Sequence, residues 1–167
     1  MPRQQYRVYA MATPSGAAAS ARMAFFADLV RCETRMYNQF NDELRAAHGI
    51  VTSQYEFLRY IRDHTTPRTS DMAAEFAIGV GAVSKAMDRL EDRGWLIRRP
   101  NPANRRSTIL TLTDRGRALI DAADRTFRER LAELLAPVPP EQLAASAAAL
   151  SQLRAALERD GLGTPTG

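Results

Sequence analysis

The sequence predicts a mostly α-helical fold with a small β-hairpin wing: a winged helix-turn-helix flanked on both sides by a helical dimerisation block. Three adjoining patterns carry this. Ser70 to Ala77 reads as a short amphipathic helix, with Met72, Ala73 and Phe76 apolar on one side. After a break at Ile78-Gly79, a second helix runs from Val80 to Arg93. Its apolar stripe is Val80, Val83, Met87 and Leu90, and Gly94 ends it where left-handed backbone is wanted. A hairpin then follows: Trp95 to Arg98 as one strand, Pro100 to Arg106 as the turn, and Thr108 to Thr113 as an alternating second strand. A short helix propped by another, with a ribbon beside it, has the dimensions to enter the DNA major groove.

In chain order, residues 1–20 mix Ala, Ser and Gly and are expected to form a poorly ordered tail or a short extra turn of helix. From Ala21 to His48, Phe26, Leu29, Val30, Met36, Tyr37, Phe40 and Leu44 recur at three- and four-residue spacing, and Gly49 ends the helix. That length exceeds what a small core needs, so a second copy of the chain is the expected neighbour. Thr52 to Asp63 is the next helix, with Thr52 as its N-cap and Tyr55, Leu58 and Ile61 on one face; Pro67 separates it from the reading unit. Beyond the hairpin, Thr113-Asp114 caps a helix to about Leu135. Pro140 and Glu141 open a last helix to about Arg159, with Leu143, Ala147, Leu150, Leu153 and Leu157 at heptad-like spacing. The expected division is a tail over 1–20, a dimerisation region over 21–49 and 114–160, a DNA-binding winged helix over 50–113, and a tail over 161–167.

At 167 residues and net charge +4, with 25% charged and 45% apolar residues, the chain fits one globular domain with a helical appendage. The charge is concentrated. Between Ser84 and Arg117 lie nine basic residues and four acidic ones, whereas the remainder carries fourteen basic and fifteen acidic. A localised positive field suits a polyanion; a merely solvated face is the alternative. No apolar run reaches the roughly 20 residues of a membrane span, and no apolar segment follows Arg3 and Arg7, so a cytoplasmic protein is expected without a membrane partner. One cysteine, Cys32, rules out an internal disulfide and is expected to be a buried, inert thiol. His48 and His64 lack companion ligands, so no metal is expected; no cofactor-binding or catalytic motif is present, and the chain is not read as an enzyme.

The stretch GAVSKAMDRLEDRGWLIRRPNPANRRSTILTLTDRG, Gly81 to Gly116, resembles the MarR family of transcriptional regulators. Asp88-Arg89-Leu90, Gly94-Trp95, Pro100-Asn101-Pro102 and Leu112-Thr113-Asp114-Arg115-Gly116 match that family's pattern in order and spacing, and the helix layout extends the likeness over about Ala21 to Arg159. The resemblance implies a homodimer whose two winged helices bind a palindromic operator in double-stranded DNA, repressing an adjacent operon until a small phenolic or anionic ligand releases it. The alternative is a winged-helix protein-interaction module without specific DNA binding.

Within the second helix of the reading unit, Ser84 can bond a base edge or phosphate, Lys85 a guanine edge or phosphate, and Ala82 a thymine methyl, with Gly81 beside them. Gly79 offers no side-chain cap, and the scarcity of directional groups suggests that DNA shape carries part of the specificity. Ser70, Arg89, Arg98 and Arg99 are expected to be phosphate contacts or salt-bridge partners, and Asp88 to orient a neighbouring arginine. By resemblance, Arg106 is the wing arginine of the minor groove with Arg105 beside it, and Asn104 stands where the family usually has Asp. A solvated hairpin is the alternative for the two arginines. The effector candidates are Met36, Tyr37, Phe40, His48, Tyr55, Arg59 and Arg117, with ordinary core packing as the alternative for the aromatics and methionine. Oxidation-sensing relatives carry a cysteine nearer the start of the first helix than Cys32.

Overall fold

A computed structural model of the chain describes residues 16–165. Six helices and one antiparallel hairpin follow in the order α1 Gly16–His48, α2 Thr52–Asp63, α3 Thr69–Glu75, α4 Val80–Asp92, β1 Leu96–Asn101, β2 Asn104–Leu112, α5 Asp114–Leu135 and α6 Pro140–Arg159. Every expected element is present. The first helix begins five residues earlier than expected, taking in Gly16 to Ser20; the rest of the expected tail, residues 1–15, lies outside the described residues. Two compact units are distinguished, one ending at Asn38 and one beginning at Gln39.

In the first unit the described residues are helical throughout, and Met23, Phe25, Phe26 and Val30 are exposed, Phe26 to 62%. Cys32 is exposed too, which corrects the expectation of a buried thiol: among the described residues of α1 only Phe40 and Leu44, both in the second unit, are buried.

The second unit holds the core. Leu44 and Ile50 meet Tyr55, Leu58 and Ile61 of α2, Met72 of α3, Val83, Met87 and Leu90 of α4, Leu96, Leu110 and Leu112 of the hairpin, and Ile120 and Ala123 of α5. In α2, α3 and α4 the helical recurrence of these residues made the inward face legible. In α5 the side expected to be apolar was Ala118, Leu119, Ala122, Phe127, Leu131, Leu134 and Leu135, whereas the buried residues are Gly116, Ile120, Ala123 and Asp124. The start of α2 departs from expectation. Thr52 is the first helical residue, and the N-cap is Val51, which supplies no side-chain cap. Instead Gln54 Oε1 accepts from the Val51 N–H at 3.1 Å, and Asn41 Oδ1 of α1 accepts from the Thr52 N–H at 2.8 Å. The open donors are satisfied from outside the expected cap residue.

Between α3 and α4 the left-handed residue is Ala77, at φ 50°, one position before the expected break. The end of α4 follows expectation. Gly94 takes φ 71°, its N–H reaches the Glu91 carbonyl at 2.7 Å, and the Trp95 N–H reaches the Leu90 carbonyl at 3.0 Å. In the hairpin Leu96 pairs with Leu112, Arg98 with Leu110, Pro100 with Thr108 and Asn101 with Asn104, with an irregularity at Pro100/Asn101. The strands therefore run further towards the tip than expected, which places the backbone of Arg105 and Arg106 in β2 rather than in the turn. Asn101 explains this. Its Oδ1 accepts from the Ala103 N–H at 2.9 Å and its Nδ2 donates to Ser107 Oγ at 3.0 Å, fastening the tip from inside.

Candidate nucleic-acid interface

The second helix of the reading unit, α4, is held from below and from the side. Val83, Met87 and Leu90 are buried beneath it. From the side comes Arg98 of β1. Its guanidinium donates to Asp88 Oδ1 at 2.7 Å, to the Glu91 carboxylate, and to the Ser84 carbonyl at 3.5 Å; its backbone N–H also reaches Glu91 Oε1 at 3.2 Å. One side chain thus ties wing to helix at three points. It also occupies two of the three carboxylates of α4, so that their charge is met within the protein rather than facing outward. The expected role of Asp88, orienting an arginine, is the geometry found.

With those acids engaged, Lys85, Arg89 and Arg99 remain exposed, and none of the three forms an ion pair among the described residues. Gly81 and Ala82 are exposed at the start of α4, and Ser84 is half-buried behind them. Ser70 is exposed, its hydroxyl 3.4 Å from Asp71 Oδ1. Arg68 holds Asp71 with contacts of 2.8 and 2.7 Å and is the main reason its carboxyl titrates below the usual range. Asn104 is exposed and pairs with Asn101 across the tip, whereas the side chains of Arg105 and Arg106 lie outside the described residues. Arg93 belongs to the scaffold: it lies 4.9 Å from the Trp95 ring centroid and reaches the Gly49 carbonyl at 3.4 Å.

One residue of this face was misassigned from the sequence. Val80 belongs by periodicity to the apolar stripe, yet it is 55% exposed. It is the first residue of α4, so no preceding helical turn carries the stripe underneath it. The signal available in the sequence was its place directly after the break, between Gly79 and Gly81.

The effector candidates are divided between the two units. In the first unit Met36 is half-buried and Tyr37 exposed. In the second, Phe40 and Tyr55 each stack on Phe127, at 4.0 and 4.5 Å between centroids, and His48 Nε2 lies 2.8 Å from Thr126 Oγ1. The Tyr55 hydroxyl donates to Asp124 Oδ1 at 2.7 Å; burial, and then this carboxylate, push the phenol well above its usual titration range. Arg59 lines a small cavity of about 130 Å³ with Glu56, Tyr60, Asp63, His64, Glu75 and Phe76, and Arg117 is exposed on α5. Among the described residues no cluster of three or more His, Cys, Asp or Glu could hold a metal, and no helix is long and apolar enough to cross a membrane.

Comparison with known proteins places this geometry. Residues 51–108, covering α2 to the middle of β2, match the model of the MarR family. Over that segment the chain is similar to the MarR family. It is 30% identical over 100 residues to an uncharacterized HTH-type transcriptional regulator, YdgJ of Bacillus subtilis, a match covering 60% of this chain and 61% of that protein. The chain spans about three fifths of the length of the curated relatives it matches, from 61% to 63% for the first three. Among solved structures it is similar to the transcriptional repressor CouR bound to a 23-mer DNA duplex, with TM-score 0.65, 27% identity, and coverage of 74% of this chain and 89% of that one. The fold also matches Sco3205 of Streptomyces coelicolor, a MarR-family regulator in complex with DNA, with TM-score 0.79 at 18% identity over 87% of this chain and 93% of that one. The fold is a winged helix-turn-helix with flanking helices.

Proposed function

We propose that this protein is a homodimeric, sequence-specific DNA-binding regulator of the MarR family that represses an adjacent operon from a palindromic operator. The observation that carries the reading is the charge arrangement of α4 and the wing: Asp88 and Glu91 are taken up by Arg98 while Lys85, Arg89 and Arg99 stay exposed on the same two elements. A surface that internally pairs its acids and presents its cations suits a phosphate backbone. CouR, bound to a DNA duplex, supplies a precedent for this fold in that role. Dimerisation is supported by the apolar residues displayed at both ends of the chain: Met23, Phe25, Phe26 and Val30 on α1, and Leu150, Leu153 and Leu157 on α6. A two-fold dimer would set two identical half-sites about one helical turn apart. Release by a small phenolic or anionic ligand rests on the family resemblance; Phe40, His48 and Tyr55 are already engaged by contacts within the chain.

The test is a duplex titration at two salt concentrations with a sequence enriched from a random pool. Affinity is expected to fall steeply with salt, because binding releases condensed counterions. Arg106→Ala is expected to cost about 1–3 kcal/mol of binding and to flatten that slope. Failure to bind any duplex at low ionic strength would overturn the reading in favour of a protein-interaction module, and unchanged affinity in Arg106→Ala would remove the wing from it.

A further inference from the structure

The tip of α4 has an unusual surface for a helix meant to read hydrogen-bonding base edges. Val80, its first residue, leaves 55% of its area open although it is an apolar β-branched side chain. It is flanked by Gly79 and Gly81, and Ala82 is exposed beyond. Neither glycine is demanded by the fold. Neither has the positive φ that excludes other residues, and a Cβ at either position would meet nothing within 4 Å. Gly79 is the N-cap, a position that glycine suits, but Gly81 lies in the first turn, where glycine costs stability relative to alanine. Within the isolated chain this tip is therefore both less stable and more apolar than packing requires, and the first turn carries no side-chain cap.

These features agree if another body approaches the tip closely. Bare backbone on both sides of Val80 lets its two methyl groups advance further than they could between bulkier neighbours. On a base edge in the major groove, the apolar feature available to them is the C5-methyl of thymine. We infer that Val80 is a specificity-determining residue that recognises a thymine methyl group in each half-site, by apolar contact rather than by a hydrogen bond. The inference rests on the duplex-binding reading above and deepens it: thymine is named at one position, and the side chain that reads it is identified.

The experiment keeps the two readings separable. The full-length chain is used to enrich duplexes from a random pool, and each thymine of the enriched half-site is then replaced singly by uracil, which removes only the methyl. Since the change is made in the DNA, protein folding does not enter. One thymine per half-site is expected to be methyl-dependent, with affinity falling about three- to fivefold per half-site on its loss, the value of one buried methyl. Val80→Ala is expected to bind the thymine duplex more weakly by a similar factor and to show little further loss with uracil. Uracil tolerated at every position, or a uracil penalty unchanged in Val80→Ala, would overturn the assignment of Val80 while leaving duplex binding intact. Enrichment of no duplex at all would overturn the binding reading and this inference together.

Discussion

Gly116 is where a single residue decides whether the winged unit can form. It lies buried in the first turn of α5, against the turn that leads from α4 into β1, and a Cβ built on it would sit 1.9 Å from the Trp95 carbonyl oxygen. That oxygen is fixed, since it accepts from the Thr113 N–H at 3.1 Å, while the Thr113 hydroxyl donates to the Gly94 carbonyl at 2.7 Å and accepts from the Gly116 N–H at 3.0 Å. The corner has no flexible side chain to yield. Gly116→Ala is therefore expected to destabilise the fold by at least about 2 kcal/mol in urea unfolding, because backbone rather than side chain must move. A variant as stable as the parent would mean the two segments are less closely locked than this contact requires. Gly81→Ala, with open space around it, is the control on the same experiment.

At the scale of elements, α2 and α5 are joined by a buried polar lock. Asp124 of α5 accepts from the Tyr55 hydroxyl of α2 at 2.7 Å and pairs with Arg128 at 2.7 Å and with Arg62 at 3.4 Å. Burial by itself would raise the Asp124 carboxyl; the Tyr55 hydroxyl and the two guanidiniums outweigh it and hold the group below the ordinary carboxylate value. A carboxyl depressed in the folded state stabilises above its unfolded value of about 3.9, and that contribution is lost as pH falls through the folded value. Unfolding free energy measured in urea from pH 6 downward should therefore drop more steeply in the parent than in Asp124→Asn, which has no carboxyl there to protonate. Some acid dependence will persist in the variant, since Asp71 is lowered as well by Arg68. Parallel curves would show that the lock adds nothing that depends on the charge of Asp124. The wing is fixed to its helix by a related device, Arg98 on Asp88 and Glu91, and pairing and spacing alone could not say which of the neighbouring Arg98 and Arg99 would turn inward.

For the whole molecule, α6 is the element that a lone chain explains least. It is 20 residues long and has no buried residue among those described, while Leu150, Leu153 and Leu157 stand about 40% exposed along it. Helices of this length derive most of their stability from packing an apolar face, so this is the face that the proposed dimer would cover. Replacing the three leucines with glutamate is expected to turn the proposed dimer into a monomer in sedimentation at micromolar concentration and to abolish the proposed duplex binding with it. The unit built on Leu44, Tyr55, Leu58 and Met87 should still unfold cooperatively, because none of the three leucines belongs to that core. Persistence of the dimer would move the interface away from α6.

The sequence by itself determined the order of the elements and their inward faces, from Met72 and Ala73 in α3 to Leu110 and Leu112 in β2, because periodicity of apolar residues records which side of an element avoids water. It also held the Gly81 to Gly116 signature that resembles the MarR family, most of which lies in the segment matching that family's model. The tertiary structure alone decided the fate of residues that obey the pattern yet meet no neighbour, and of polar groups whose partners lie far along the chain. Val80 and Cys32 are exposed where spacing or residue type suggested burial, since a face is buried only if another element reaches it. Arg98 rather than Arg99 became the brace, and Asp124 the lock for Tyr55 69 residues away, because hydrogen bonds depend on distance in space, which local spacing does not encode.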